Sequence, residues 1–273
     1  MSAADVLPAS SPRAPATAAR QNEPGSLGEF LADVRRVFTI FAKVPWLPAL
    51  EGVYVILGVA VAQASVGQPD DPTAAAMGFL VSMFVLVTIG WLGAQRVIMR
   101  NVMVGEPVEV SMAWRLTAKL GWRFVRLGLL LVPVGAVFLA ITVLGIDDLT
   151  DPSATLNGRA QAAIVVLVVL LDIALTLVTP SLALESDKAR DAYTRGVQRL
   201  RTHWRLARWH ALAPAMALAA LPQAINSVGA SARVISLVAA LFLIVARGAV
   251  VALHLRIRDI ELANMPPPRP VIL

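Results

Sequence analysis

The chain has 273 residues, of which 57% are hydrophobic and 15% charged, and its mean hydropathy is +0.70. Soluble domains carry about 25% charged residues, so this balance points to a polytopic membrane protein. The formal net charge is +6 and there are no cysteines, which excludes disulfides, thiolate metal sites and cysteine nucleophiles.

Residues 1–25 are rich in Ala, Pro and Ser and hold no apolar run. They lack the apolar stretch of roughly 7–15 residues that marks a signal peptide. A disordered cytoplasmic tail is expected there. Six apolar segments follow, each near the ~20 residues that cross a bilayer: roughly 46–66, 76–99, 124–146, 160–184, 207–226 and 233–255. Glu51 interrupts the first. The fifth is Ala-rich and carries Pro214 and Pro222.

The charges test that count. Arg13, Arg20, Arg35, Arg36 and Lys43 precede span one. Arg96, Arg100, Arg115, Lys119, Arg123 and Arg126 follow span two. Lys188, Arg190, Arg195, Arg199, Arg201, Arg205 and Arg208 follow span four, and Arg256, Arg258 and Arg269 follow span six. The other three loops hold only Arg159 and Arg233, and two of them hold Asp70, Asp71, Asp147, Asp148 and Asp151. Basic residues on alternate loops obey the positive-inside rule, so six spans with both termini in the cytoplasm are expected. An odd count would break the alternation. Trp46, Trp91, Trp114, Trp122, Trp204 and Trp209 all fall near the cytoplasmic ends, where indole settles at the headgroup level. The expected location is the bacterial inner membrane.

Three segments preceding the odd-numbered spans look alike: SLGEFLADVRRVFTIFAKVPWLPAL from Ser26, SMAWRLTAKLGWRFVRLGLLLVP from Ser111, and SDKARDAYTRGVQRLRTHWRLARWHALAP from Ser186. Each opens on a helix-capping serine, and Ser26 with Glu29 has capping-box spacing. Each continues as a basic amphipathic helix and meets a proline in or near the next span: Pro48, Pro133, Pro214. In the first, Leu27, Phe30, Leu31, Val34, Val37, Phe38 and Phe41 form one stripe; in the third, Tyr193, Val197, Leu200 and Trp204 do. The separations are about 80 residues. The expected fold is all-α, with six transmembrane helices as three two-span repeats (about 26–105, 106–185 and 186–260), each preceded by a cytoplasmic-side amphipathic helix, and a Pro-rich cytoplasmic tail over 261–273. The third amphipathic helix would lie on the inner leaflet, with Arg195, Arg199, Arg201, Arg205 and Arg208 contacting anionic headgroups.

The stretch TPSLALESDKARDAYTRGVQRLRTHWRLARWHALAP ends a span in Pro and small apolar residues, turns on acidic residues and enters the next span through an Arg- and Trp-bearing helix. Over roughly residues 26–260 it is similar to the membrane-domain family attached to some glycerophosphodiester phosphodiesterases, and to stand-alone relatives. The phosphodiesterase domain itself is absent. The chain has three histidines, His203, His210 and His254, and no acidic cluster for a metal, so no catalytic role carries over. Mitochondrial carriers also have three two-span repeats, but their Pro-x-Asp/Glu-x-x-Lys/Arg signature does not occur here.

The charged residues inside predicted spans that could do chemistry are Glu51, Arg96, Asp172 and Arg247. Such groups cost roughly 3 kcal/mol each at the bilayer centre and face the bundle interior or a water cavity. Glu51 or Asp172 is expected to pair with Arg247 or Arg96. The arrangement suits a structural ion pair, an ion-coupled site or a lipid-headgroup site. His203 and His210, seven residues apart, miss the spacing of three or four that a helical metal pair needs, and read as interfacial residues. No phosphate loop, serine-nucleophile elbow or metal motif is present. The expectation is a non-enzymatic membrane protein without a cofactor that binds membrane lipids or a partner protein, and not nucleic acid. The alternative is a small transporter or channel using Asp172 and Arg247.

Overall fold

The computed structural model describes residues 26–64, 73–145, 158–228 and 232–264. The expected tail at 1–25, residues 265–273 and the acidic loops with Asp70, Asp71, Asp147, Asp148 and Asp151 lie outside the described residues. The described residues are helical, with no strand: α1 (Leu27–Lys43), α2 (Trp46–Ala64), α3 (Thr73–Val104), α4 (Val110–Leu130), α5 (Val132–Leu144), α6 (Gly158–Leu175), α7 (Val178–Leu184), α8 (Ala189–Thr202), α9 (Trp204–Val228) and α10 (Ala232–Ala263).

Three helices are long and apolar enough to cross a membrane, over Phe79–Val104, Gly158–Leu175 and Leu237–Ala263. The bent pairs α1–α2 and α4–α5 raise the number to five if each pair forms one span. Three to five such helices are consistent with a multi-pass membrane protein. Large apolar side chains such as Ile56, Phe79, Leu139 and Leu170 are exposed on these helices. Water-soluble monomers rarely expose apolar surface on that scale.

Local chemistry sets the helix ends. The Ser26 Oγ accepts the Glu29 N–H at 3.2 Å and caps α1. The chain then turns through 93° into α2. Between α4 and α5 it bends by 57° at Leu131, just before Pro133, whose ring excludes a continuous helix and fits the first turn of α5. The predicted fourth span is divided between α6 and α7, with the break at Thr176 and Leu177 four and three residues before Pro180. Predicted span five lies within α9. α10 runs on to Ala263, so Glu261, placed at the start of the predicted C-terminal tail, is helical.

The three basic helices pack on the bundle by one face each. α1 buries Phe30, Asp33, Val37 and Ile40, and α4 buries Ala113, Thr117, Leu120, Phe124 and Leu127, both at spacings of three and four. The stripe expected on α1 is therefore split: Phe30 and Val37 face the protein, while Leu27, Leu31 and Phe38 are exposed. On α8, Ala189, Ala192, Gly196 and Leu200 are buried, and Tyr193 stays outside. One apolar cluster joins Val44, Leu47, Tyr54, Trp91, Ile98, Met99 and Ile244; a second joins Leu120, Phe124 and Leu127 to Val178 and Leu182; a third joins Leu177 and Leu200 to Val250, Leu253 and Ile257.

The closest approaches to neighbouring backbone fall at Gly90 and Gly196. A Cβ on Gly90 would sit 2.2 Å from the Thr117 carbonyl oxygen, and one on Gly196 would sit 2.5 Å from the Val178 Cα. Gly90→Ala is expected to push α3 from α4 and cost about 1–3 kcal/mol. Gly128→Ala on α4, where a Cβ meets nothing within 4 Å, should raise stability by roughly 0.5–1 kcal/mol. Thermal unfolding of the two variants in nanodiscs checks the contrast.

Candidate functional site

Helical spacing brings polar groups to one place inside the bundle. On α2, Leu47, Glu51 and Tyr54 share the buried face; on α3, Trp91 and Gln95 stand one turn apart. The Trp91 indole donates to Glu51 Oε2 at 2.7 Å, and the Gln95 amide donates to the same oxygen. Arg247 of α10 donates from Nη1 to Glu51 Oε1 at 3.2 Å and to Gln95 Oε1 at 3.0 Å. Tyr54 stacks on Trp91, with ring centroids 5.3 Å apart and planes 18° from parallel. Glu51 thus has a cation and two neutral donors, the arrangement a buried carboxylate requires.

Beside this cluster lies a cavity of about 210 Å³ whose lining includes Arg96, Asp172, Thr176, Thr179, His210 and Arg247. Arg96 donates from Nη1 to the Leu92 carbonyl one turn back at 2.5 Å, and its guanidinium lies 6.0 Å from the Phe124 ring centroid. Its Nε is buried without a partner. Thr176 and Thr179 give their hydroxyl protons to the Asp172 and Leu175 carbonyls, at 3.0 and 3.2 Å. The structure therefore joins Glu51 directly to Arg247, and sets Arg96 and Asp172 around the same cavity as Arg247. Among the described residues neither Arg96 nor Asp172 has an ion-pair partner.

Two further polar clusters tie the helix ends together. Asp33 of α1 accepts both from Arg256 Nη2, at 2.7 and 2.9 Å, and from His210 Nε2 at 2.8 Å. Glu185, just after α7, accepts from Arg199 Nη1 at 2.6 Å and from His254 Nε2 at 3.1 Å, while the other edge of Arg199 is bidentate to Glu261. Burial pushes the Glu185 carboxyl up, but the hydrogen bonds and charges of His254 and Arg199 outweigh it and hold the group down at about 2.

Several residues stand elsewhere than their sequence pattern implies. Arg199, expected on headgroups, has both guanidinium edges occupied by carboxylates. Arg195, Arg201 and Arg205 are exposed and Arg208 is half-buried, its guanidinium 5.9 Å from the Trp209 ring. His210, expected at the interface, is 1% exposed, because a rotation of the chain at His203 starts α9 and turns His210 toward Asp33. Trp91, expected among the interfacial tryptophans, is also 1% exposed, since its N–H is drawn inward by Glu51. Gln95, Asp33, Glu185, His254, Arg256 and Glu261 had no distinguishing sequence signal beyond their spacing on helices that face one another.

Arg247→Met is expected to leave Glu51 buried without its cation and to cost about 3–5 kcal/mol, whereas the double replacement with Glu51→Gln should recover most of that loss. A double-mutant cycle of unfolding midpoints in nanodiscs reads the coupling. The depressed Glu185 carboxyl adds stability that is complete above about pH 4.5 and lost as pH falls toward 2. Glu185→Gln should therefore flatten the acid limb of the stability profile without changing its slope above neutrality.

No protein-family model, curated protein or solved structure matches this chain, so its fold and its site stand on their own geometry.

Proposed function

We propose that this chain is a six-span protein of the bacterial inner membrane, with both termini in the cytoplasm, that binds anionic phospholipid through three basic helices and catalyses no reaction. The observation that carries the reading is the outer face of α4. Trp114 and Trp122 are 53% and 59% exposed there, among the exposed Arg115, Lys119 and Arg126. Arg126 lies 5.4 Å from the Trp122 ring centroid. Indole at the headgroup level beside cations suits an anionic leaflet. Phe38 with Arg35 and Arg36 on α1, and Tyr193 and Trp204 with Arg195, Arg201 and Arg205, repeat the combination.

The bent pairs α1–α2 and α4–α5, with the one-residue break between α8 and α9, support a threefold repeat, and the alternation of basic loops supports six spans. A membrane domain of the kind attached to some glycerophosphodiester phosphodiesterases, which residues 26–260 are expected to resemble, would fit a membrane-resident role without a catalytic set.

Extraction into native nanodiscs followed by lipid mass spectrometry tests the function. Phosphatidylglycerol and cardiolipin should be enriched over the surrounding membrane. Replacing Arg115, Lys119, Arg126, Arg195, Arg201 and Arg205 by Gln should return the composition to bulk, each residue contributing roughly 1 kcal/mol. Bulk composition around the unaltered protein, or a stoichiometric protein partner over these helices, would overturn it.

A further inference from the structure

Among the described residues, one cation and one anion inside the bundle make no direct ion pair, although each lies in the other's field and in that of Arg247. Glu51 is held by Arg247, Asp33 by Arg256 and Glu185 by Arg199. Arg96 is more than nine-tenths buried, with Nε unpartnered, and Asp172 has no ion-pair partner among the described residues. Both line the same cavity, and Arg247 lines it with them. Opposite charges that meet only across a cavity leave their hydrogen-bonding capacity unfilled in low dielectric, so this lining suits a group that contacts both signs.

The chemistry of the walls narrows that group. A simple anion would satisfy the guanidinia but face the Asp172 carboxylate; a simple cation would face two arginines. A zwitterion meets both and adds no net charge. Thr176 and Thr179 spend their protons on backbone carbonyls, so their oxygens remain acceptors toward the cavity. Asp172, Thr176 and Thr179, at i, i+4 and i+7, thus offer three acceptors, and a primary ammonium has three donors. Two guanidinia carry more N–H groups than a carboxylate's two oxygens use, and they suit a phosphate. The volume of about 210 Å³ lies below the roughly 300–1,000 Å³ of pockets for drug-sized ligands, and fits a headgroup-sized occupant. Asp172, Leu175 and Leu243 are half-buried, which leaves the acidic side of the cavity near the protein surface.

We propose that this cavity binds a phosphoethanolamine group, with its phosphate on Arg96 and Arg247 and its primary ammonium on Asp172, Thr176 and Thr179. The group can arrive as the headgroup of phosphatidylethanolamine, whose phosphodiester makes it net neutral, or as free phosphoethanolamine, whose monoester carries extra negative charge for the two guanidinia. The site does not depend on the exposed basic helices.

The full chain is placed in nanodiscs, and two arms separate the sources. In the first, native mass spectrometry compares retained phosphatidylethanolamine with phosphatidylcholine, whose trimethylated ammonium has no N–H to give Asp172. In the second, soluble phosphoethanolamine and phosphocholine are titrated against thermal unfolding in phosphatidylglycerol discs. Preference for the ethanolamine form by about tenfold in either arm, lost in Arg96→Gln and Asp172→Asn and reduced in the milder Thr176→Val, supports the site and identifies the source. Equal retention of the two headgroups with no effect of the soluble compounds, protection by glycine but not phosphoethanolamine, or a preference unchanged in all three variants overturns it. Phosphatidylglycerol retention, read in the same spectra, reports on the surface helices separately.

Discussion

A carboxylate drawn into an apolar bundle must meet its counter-charge there, because neither lipid nor packed side chains can solvate it. In this protein α10 supplies most of those counter-charges. It presents Arg247 to Glu51 of α2, His254 to Glu185 beyond α7 and Arg256 to Asp33 of α1, and its Glu261 receives Arg199 of α8. Arg247, His254 and Glu261 recur every seven residues, two helical turns apart, so one side of the helix carries them all. The apolar contacts follow the same helix, through Ile244 in one cluster and Val250, Leu253 and Ile257 in another.

Saturation distinguishes the polar clusters. Asp33 and Glu185 each take hydrogen bonds from an arginine and a histidine, which leaves little capacity for a ligand. Glu51 is similarly filled by Trp91, Gln95 and Arg247. These three act as fasteners between helices. The space beside Arg96 and Asp172 is the exception, and it sits where α3, α6, α9 and α10 meet around the break before Pro180. A helix interrupted in the bundle interior frees room and backbone polarity, which is the usual setting for a buried polar site in a membrane protein.

The helical class and the apolar segments were legible because hydropathy acts over ~20 residues at a time and tolerates local exceptions. Intramembrane charges were legible too, since Glu51, Arg96, Asp172 and Arg247 stand out against apolar neighbours. Their pairing was not, because which of two acids meets which of two arginines depends on helix rotation and depth. Trp91 and His210 show the limit most clearly. Each belongs to a residue type that favours interfaces, and each was turned inward by one carboxylate on a distant helix, 40 and 177 residues away along the chain. Arg199 illustrates the converse: it belongs to a run of arginines, yet it faces both Glu185 and Glu261 and becomes structural. Membrane spans themselves are blurred at α1–α2 and α4–α5, where a bend turns one hydropathy signal into two helices.

The position of α10 in the chain has a consequence for assembly. Synthesis proceeds from the N-terminus, so Asp33 and Glu51 are made before the helix that carries their arginines, whereas Glu185 meets Arg199 of α8 before α10 is complete. During that interval Asp33 and Glu51 have to stay hydrated or take up protons, and the earlier helices cannot settle into their final contacts. Arrival of α10 brings Arg247 to Glu51 and Arg256 to Asp33, and adds His254 to the Glu185–Arg199 pair. The last described helix therefore acts as a completion signal, and a chain interrupted before it would display Asp33 and Glu51 without their arginines to the machinery that removes unfinished membrane proteins.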